Sequence, residues 1–271
     1  MLDAGAEAVR ASLAPFPRVT PLPMFDYLLL AAAAFCAGVL NTVAGGGTFL
    51  TFPALVYTGV PVVAANATSA VAVFPGYLGG AVGFKGELAA YDRSRLLRIV
   101  AFTAIGGLIG SLLLLVSSNE AFSVVVPFLL AAATLAFAFG DRLQRWAQHR
   151  RAGKPEGALG TLLVSIYGGY FNGGLGIVLL ALFSLWGMRD LNVMNGLKNG
   201  LSFILSAISV ATFAAAGIVA WPQAVLMMVA ATVGGYAGAP LARRLPRKVV
   251  RGVVILVGAA MSAIFFARLL A

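Results

Sequence analysis

The sequence predicts an all-α polytopic membrane protein. It is expected to be built as two inverted-topology repeats of about five helical elements each, with broken or re-entrant helices meeting at the midplane. Three observations predict this. The 271 residues are 61% hydrophobic and only 10% charged, whereas a soluble domain carries about 25% charged residues. The apolar sequence is interrupted by glycine clusters at 41–48 and 172–176, which begin 131 positions apart (41 to 172). The basic residues gather in three short loops.

The elements follow in order. Residues 1–23 hold Asp3, Glu7, Arg10, Arg18 and four prolines. They lack the charged-then-apolar ramp of a secretory signal and read as a polar or surface-lying tail. Apolar segments then fall at 24–43, 47–59, 64–84, 96–116, 121–140, 158–172, 175–187, 192–216, 221–241 and 250–270. A full span needs about 20 residues, so 158–172 and 175–187 are each short for one. The basic loops are 85–98 (Lys85, Arg93, Arg95, Arg98), 142–154 (Arg142, Arg145, Arg150, Arg151, Lys154) and 243–251 (Arg243, Arg244, Arg247, Lys248, Arg251). The turns at 117–120 and 216–221 carry no Lys or Arg. Basic loops mark the cytoplasmic side, which places all three there.

That placement is a parity test. Three full crossings between 158 and 241 put Arg243 on the wrong side of the membrane. A reversal at 173–174 gives four elements, and the parity closes. Residues 158–172 and 175–187 are therefore read as a hairpin of half-length helices. The same reading of 24–43 and 47–59 puts the N-terminus outside, and the C-terminus follows it. The chain divides into a first repeat at 24–140, a basic cytoplasmic linker at 141–157 and a second repeat at 158–271. Local matches support the division: 37–41 with 168–172, Gly59 with Gly187, and Ala65-Asn66 with Met194-Asn195.

Several function classes are excluded. The formal net charge of +10 lies in loops too short to hold a nucleic-acid module. The single cysteine, Cys36, rules out an intramolecular disulfide and a Cys-based metal site. No Asp or Glu lies well inside a span, so the usual carboxylate proton relay is missing. No Walker-type loop is present, and one histidine, His149, in a basic loop cannot build a Ser/His/Asp set. No enzyme chemistry, cofactor or metal is expected. Arg189 and Asp190 are expected to pair at the interface. Trp146, Trp186 and Trp221 sit at span ends, where interfacial tryptophans belong.

The chemistry concentrates at the breaks. An anion in a bilayer needs its lost hydration replaced, and helix N-termini offer free N–H groups and a favourable dipole. Half-helices starting near Thr48 and Gly176 present such ends near mid-membrane. Glycine there lets backbone approach a ligand and permits positive φ. The candidate set at the breaks is Asn41, Gly45, Gly46, Gly47, Thr48, Asn172, Gly173, Gly174 and Gly176. Most of the 32 glycines are instead expected to serve close helix packing. Asn66, Thr68 and Ser69 follow the first break as uncharged donors, and Asn195, Lys198 and Asn199 follow the second. Lys198 is the sole charge within 192–216. It is read as a counter-charge to an anion, against the plainer reading of a snorkelling or structural lysine.

The run from Asn41 through Gly45-Gly46-Gly47-Thr48 to Pro53, with Gly59, Pro61 and Asn66 to Ser69 behind it, resembles the sulfite exporter TauE/SafE family. The block from Gly168 to Gly176, continued by Asn195 to Asn199, looks like that family's second-half signature. The resemblance spans residues 24–270. It implies transport of small sulfur-containing or carboxylate anions, such as sulfite and organosulfonates, across the cytoplasmic membrane, with export as the direction.

The expected partners are a small anionic substrate and the lipid bilayer, without nucleic acid; a homo-oligomer is compatible with both. Two alternatives stay open. One is a cation-coupled importer whose backbone carbonyls hold sodium at the breaks. The other is a membrane assembly factor with no transported solute, although such a factor has no need of two buried polar breaks.

Overall fold

In the computed structural model, residues 23–43, 46–149, 157–244 and 247–270 are described, and their regular structure is entirely helical. The first half contains α1 (Met24–Val43), α2 (Thr48–Tyr57), α3 (Val62–Gly83), the short α4 (Lys85–Ala90), α5 (Arg93–Val116) and α6 (Asn119–His149). The second contains α7 (Ala158–Tyr170), α8 (Leu175–Leu185), α9 (Leu191–Ala215), α10 (Trp221–Arg244) and α11 (Arg247–Leu270). Among the described residues, five helices are long and apolar enough to cross a membrane, with spans in α1, α3, α5, α6 and α9.

The breaks fall where the glycines stand, but the two hairpins are not equal. With 13 and 11 residues, α7 and α8 are the short arms expected. In the first hairpin only α2, with 10 residues, is short. At 20 residues α1 is about 30 Å long at 1.5 Å per residue, longer than the half-length arm expected. The helix α4 lies within the expected basic loop 85–98. It ends before Asp92, which caps α5 by accepting from the Arg95 N–H (2.9 Å) and the Ser94 hydroxyl (2.6 Å). Those bonds favour the charged form and hold the exposed Asp92 carboxyl below its ordinary value. The tail through residue 22 and residues 150–156 of the expected 141–157 linker lie outside the described residues, whereas 141–149, expected as loop, continue α6 as helix.

Both short second arms end alike. After α2 the Val60 N–H reaches back to the Leu55 carbonyl (3.0 Å), and after α8 the Met188 N–H reaches Phe183 (3.1 Å). These are Schellman closures, which need a left-handed residue. Gly59 (φ 85°) and Gly187 (φ 82°), 128 positions apart, supply it.

Helix pairing follows the same exchange. The broadest pairing, α1 on α10, is matched by α5 on α7. Likewise α2 on α11 is matched by α8 on α6, and α3 on α10 by α9 on α5, while α3 on α9 and α6 on α11 pair corresponding helices with each other. Exchanging the halves leaves this pattern unchanged, apart from the contact of α4 on α9 and the slight contacts of α3 on α6 and α1 on α11. Where α3 crosses α9, Phe74 and Phe203, 129 positions apart, stack with centroids 5.1 Å apart and planes 12° apart.

The crossings are made by glycine. A Cβ on Gly234 of α10 would strike the carbonyl of Phe35, and one on Gly38 of α1 that of Ala231. In the matching crossing, a Cβ on Gly110 of α5 would strike the carbonyl of Ile166, and one on Gly169 of α7 that of Gly107. Small residues let backbones approach where lipid supplies no hydrophobic drive for association. The packing role expected for most glycines holds here.

Candidate functional site

At the first break, Gly46, Gly47 and Thr48 are buried and Asn41 is half-buried; Gly45 lies outside the described residues. Asn41 accepts the Gly47 N–H on its Oδ1 (2.8 Å), so the last turn of α1 caps the start of α2. Gly47 is helical (φ −58°), not left-handed as expected of a break glycine. It is needed instead for space, since a Cβ would lie 2.7 Å from Asn41 Nδ2. One turn on, Thr51 Oγ1 pairs with Ser69 Oγ of α3 at 2.6 Å, both fully buried.

The second break is differently tied. Gly173, Gly174 and Gly176 are buried, and Gly174 (φ 70°) and Asn172 (φ 60°) take the left-handed conformation. Tyr167 donates its hydroxyl to the Gly173 carbonyl. Asn172 does not cap α8. Its Oδ1 accepts from Tyr77 of α3 (3.4 Å), and its Nδ2 donates to Ser206 of α9 (3.5 Å). Tyr77 and Ser206 are 129 positions apart, so one carboxamide joins corresponding places on the two halves. No side chain caps α8 at Gly174, and the N–H groups of Gly174 and Gly176 enter none of the backbone bonds recorded around the break.

The hairpin tips meet through rings, with Phe52 of α2 edge-on to Phe171 at 5.9 Å. Asn66 of α3 is buried and donates to the Tyr170 carbonyl at the end of α7 (2.8 Å). Thr68, also buried, is turned away from the breaks and accepts the Ala220 N–H before α10 (3.0 Å).

Along α9 a polar line of Asn195, Lys198, Asn199, Ser202, Ser206 and Ser209 follows one face at helical spacing. Ser202, Ser206 and Ser209 are buried, and Ser209 Oγ has no partner. Asn195, Lys198 and Asn199 are partly exposed, and no hydrogen bond or ion pair to them is recorded among the described residues. Lys198 precedes Ser206 by eight residues, about 12 Å along the axis. It therefore stands below the second break, toward the start of α9, rather than where the tips meet. Asp190 caps α9, accepting from Asn192 (2.8 Å) and Val193 (3.2 Å), in place of the expected pairing with Arg189.

The model of the family described as sulfite exporter TauE/SafE matches residues 30–265. The chain belongs to that family. Among curated relatives, a probable membrane transporter protein of Haemophilus influenzae is 27% identical over 243 residues, covering 87% of this chain and 92% of the relative. The probable membrane transporter protein ORF9 of a Sinorhizobium species is 27% identical over 241 residues, covering 86% and 89%. The probable membrane transporter protein YfcA of Escherichia coli is 27% identical over 242 residues, covering 85% and 86%. No solved structure matches the chain. This member of the TauE/SafE family is a membrane transporter. Sequence reasoning missed Tyr77, Tyr167, Ser206 and Ser209 around the second break; only the 129-residue spacing of Tyr77 and Ser206 was visible in the chain.

Proposed function

We propose that this transporter moves small sulfur-containing anions, such as sulfite or an organosulfonate, outward across the cytoplasmic membrane. One observation carries the reading: the uncapped start of α8, buried beside Asn172 and the hydroxyl line of α9. Free N–H groups at a helix start favour negative charge. Bound there, an anion finds donors without a carboxylate to repel it, since α3, α7, α8 and α9 contain no Asp or Glu. The inside-negative potential favours anion exit by about 2.3 kcal/mol per charge per 100 mV, so no proton relay is needed.

The decisive experiment loads purified protein in liposomes with sulfite or 2-hydroxyethanesulfonate and sets the membrane potential. Efflux should rise with an inside-negative potential and be indifferent to sodium. Flux that requires a sodium gradient would turn the reading into the coupled importer, and a folded protein that moves no anion would end it.

The reading includes an inverted repeat of 24–140 and 158–271, with both termini outside and the 141–157 linker in the cytoplasm. The exchange of helix pairings between halves supports it. With Cys36 replaced by Ser, a cysteine at Ser118 should react with an impermeant maleimide added outside, and one at Ala152 only after the cytoplasmic face is exposed. The reverse pattern would sink the topology.

A further inference from the structure

Corresponding positions on α3 and α9 are in opposite conditions. Asn66 matches Asn195, Ser69 matches Lys198 and Tyr77 matches Ser206, each 129 positions apart. On α3, Asn66 is bonded to Tyr170 (2.8 Å), and Ser69 is shut in with Thr51 (2.6 Å). Nearby, Thr68 binds Ala220 (3.0 Å). Asn66, Thr68 and Ser69 are at most 3% exposed. On α9, Asn195, Lys198 and Asn199 are partly open, with no hydrogen bond or ion pair recorded among the described residues. From there buried hydroxyls continue past Ser202 to Ser206, which meets Asn172 at the uncapped start of α8. One end of the polar path is open and its counterpart is sealed.

We propose that the α9 face from Asn195 and Lys198 to Ser206 is a single anion site matched to one negative charge, a sulfonate or similar monoanionic oxyanion, while the corresponding face of α3 is closed scaffold that holds no anion. This rests on the anion-transport reading and assigns its site to one half.

The charge class follows from the inventory of neighbours. Lys198 is the only charged residue on α3, α7, α8 and α9. Of the other helices packed on α9, α5 brings Arg93, Arg95 and Arg98 and α4 brings Lys85, and all four are exposed. One ammonium balances one negative charge. A dianion such as sulfate carries a second charge into a low-dielectric path that offers it only neutral donors, which is costly. The amides of Asn195 and Asn199 and the hydroxyls of Ser202 and Ser206 are donors suited to the several oxygens of a sulfonate.

The test is calorimetry on the purified full chain in detergent, with sodium 2-hydroxyethanesulfonate and sodium sulfate as the probes. The parent should bind one sulfonate per chain, about tenfold or more tighter than sulfate. Lys198→Met should weaken sulfonate binding about tenfold, the loss of one charged hydrogen bond. Lys198→Arg keeps the charge and should recover part of it, which separates a lost site from a lost fold. Thr51→Val, which opens the sealed α2–α3 pair, should leave affinity within about twofold. Equal affinity for sulfate, parent-like binding by Lys198→Met, or a loss with Thr51→Val as large as that with Lys198→Met would each overturn the assignment. A folded parent that binds neither these probes nor sulfite fails the transport reading itself.

Discussion

Replacing Gly234 with valine should force α10 off α1 and sharply lower the yield of folded protein. A Cβ at this position would strike the Phe35 carbonyl and lie 2.8 Å and 2.9 Å from its carbonyl carbon and Cα. These are backbone atoms of a neighbouring helix, so no rotamer change relieves the clash. Overpacking a tight core costs about 1–3 kcal/mol even where side chains give way. At about 2–4 °C per kcal/mol, the midpoint should fall by about 6 °C or more. Gly79 is the control, because nothing lies within 4 Å of a Cβ there, and Gly79→Ala should unfold like the parent. Thermal unfolding followed by size-exclusion chromatography reads both variants. A Gly234→Val protein as stable as the parent would show that the α1–α10 crossing is not held by close backbone approach.

Gly174→Val should abolish transport while part of the protein remains folded. Gly174 has a φ of 70°, and its Cβ would sit 3.2 Å from the Ala133 side chain. The left-handed conformation costs an L-residue about 1–2 kcal/mol, more when β-branched. A turn of the peptide relieves this strain and moves the N–H groups that start α8. Asparagine tolerates this conformation, so Gly174→Asn should retain more flux than Gly174→Val. Gly47 differs in kind. Being helical, it should fail with alanine as readily as with valine, through collision with Asn41. Flux per folded protein in liposomes measures all three. Parent-like flux by Gly174→Val would return this glycine to mere packing.

The order of the apolar helices was legible in the chain because apolar length and glycine breaks are local signals; their extent was not, since α4 and the end of α6 run through expected basic loops. The paired turns at Gly59 and Gly187 were legible as a match, and their shared left-handed conformation explains it. What was hidden depends on contact between distant segments. Nothing local says that Thr68 will serve Ala220, 152 residues away, or that Asn172 will join Tyr77 to Ser206. Asn41 and Asn172 look equivalent in sequence, yet one closes its own break and the other spans two helices. The place of Lys198 was hidden for a similar reason. Its distance from the second break follows from which α9 residue meets Asn172, not from its place in the apolar run.

The stack of Phe74 on Phe203 joins matching positions of the two halves. If the halves trade conformations during the transport cycle, this pair meets the same surroundings before and after. The same substitution made at both positions has little differential energy to offer and should leave the resting equilibrium unbiased. Asn66 and Asn195 lie off that centre, one bonded to Tyr170 and the other with no bond recorded among the described residues. Only such unequal pairs have a difference through which the balance of access states can be tuned. The set point of the cycle is thus written in the asymmetry between the halves, and its pivot in their likeness.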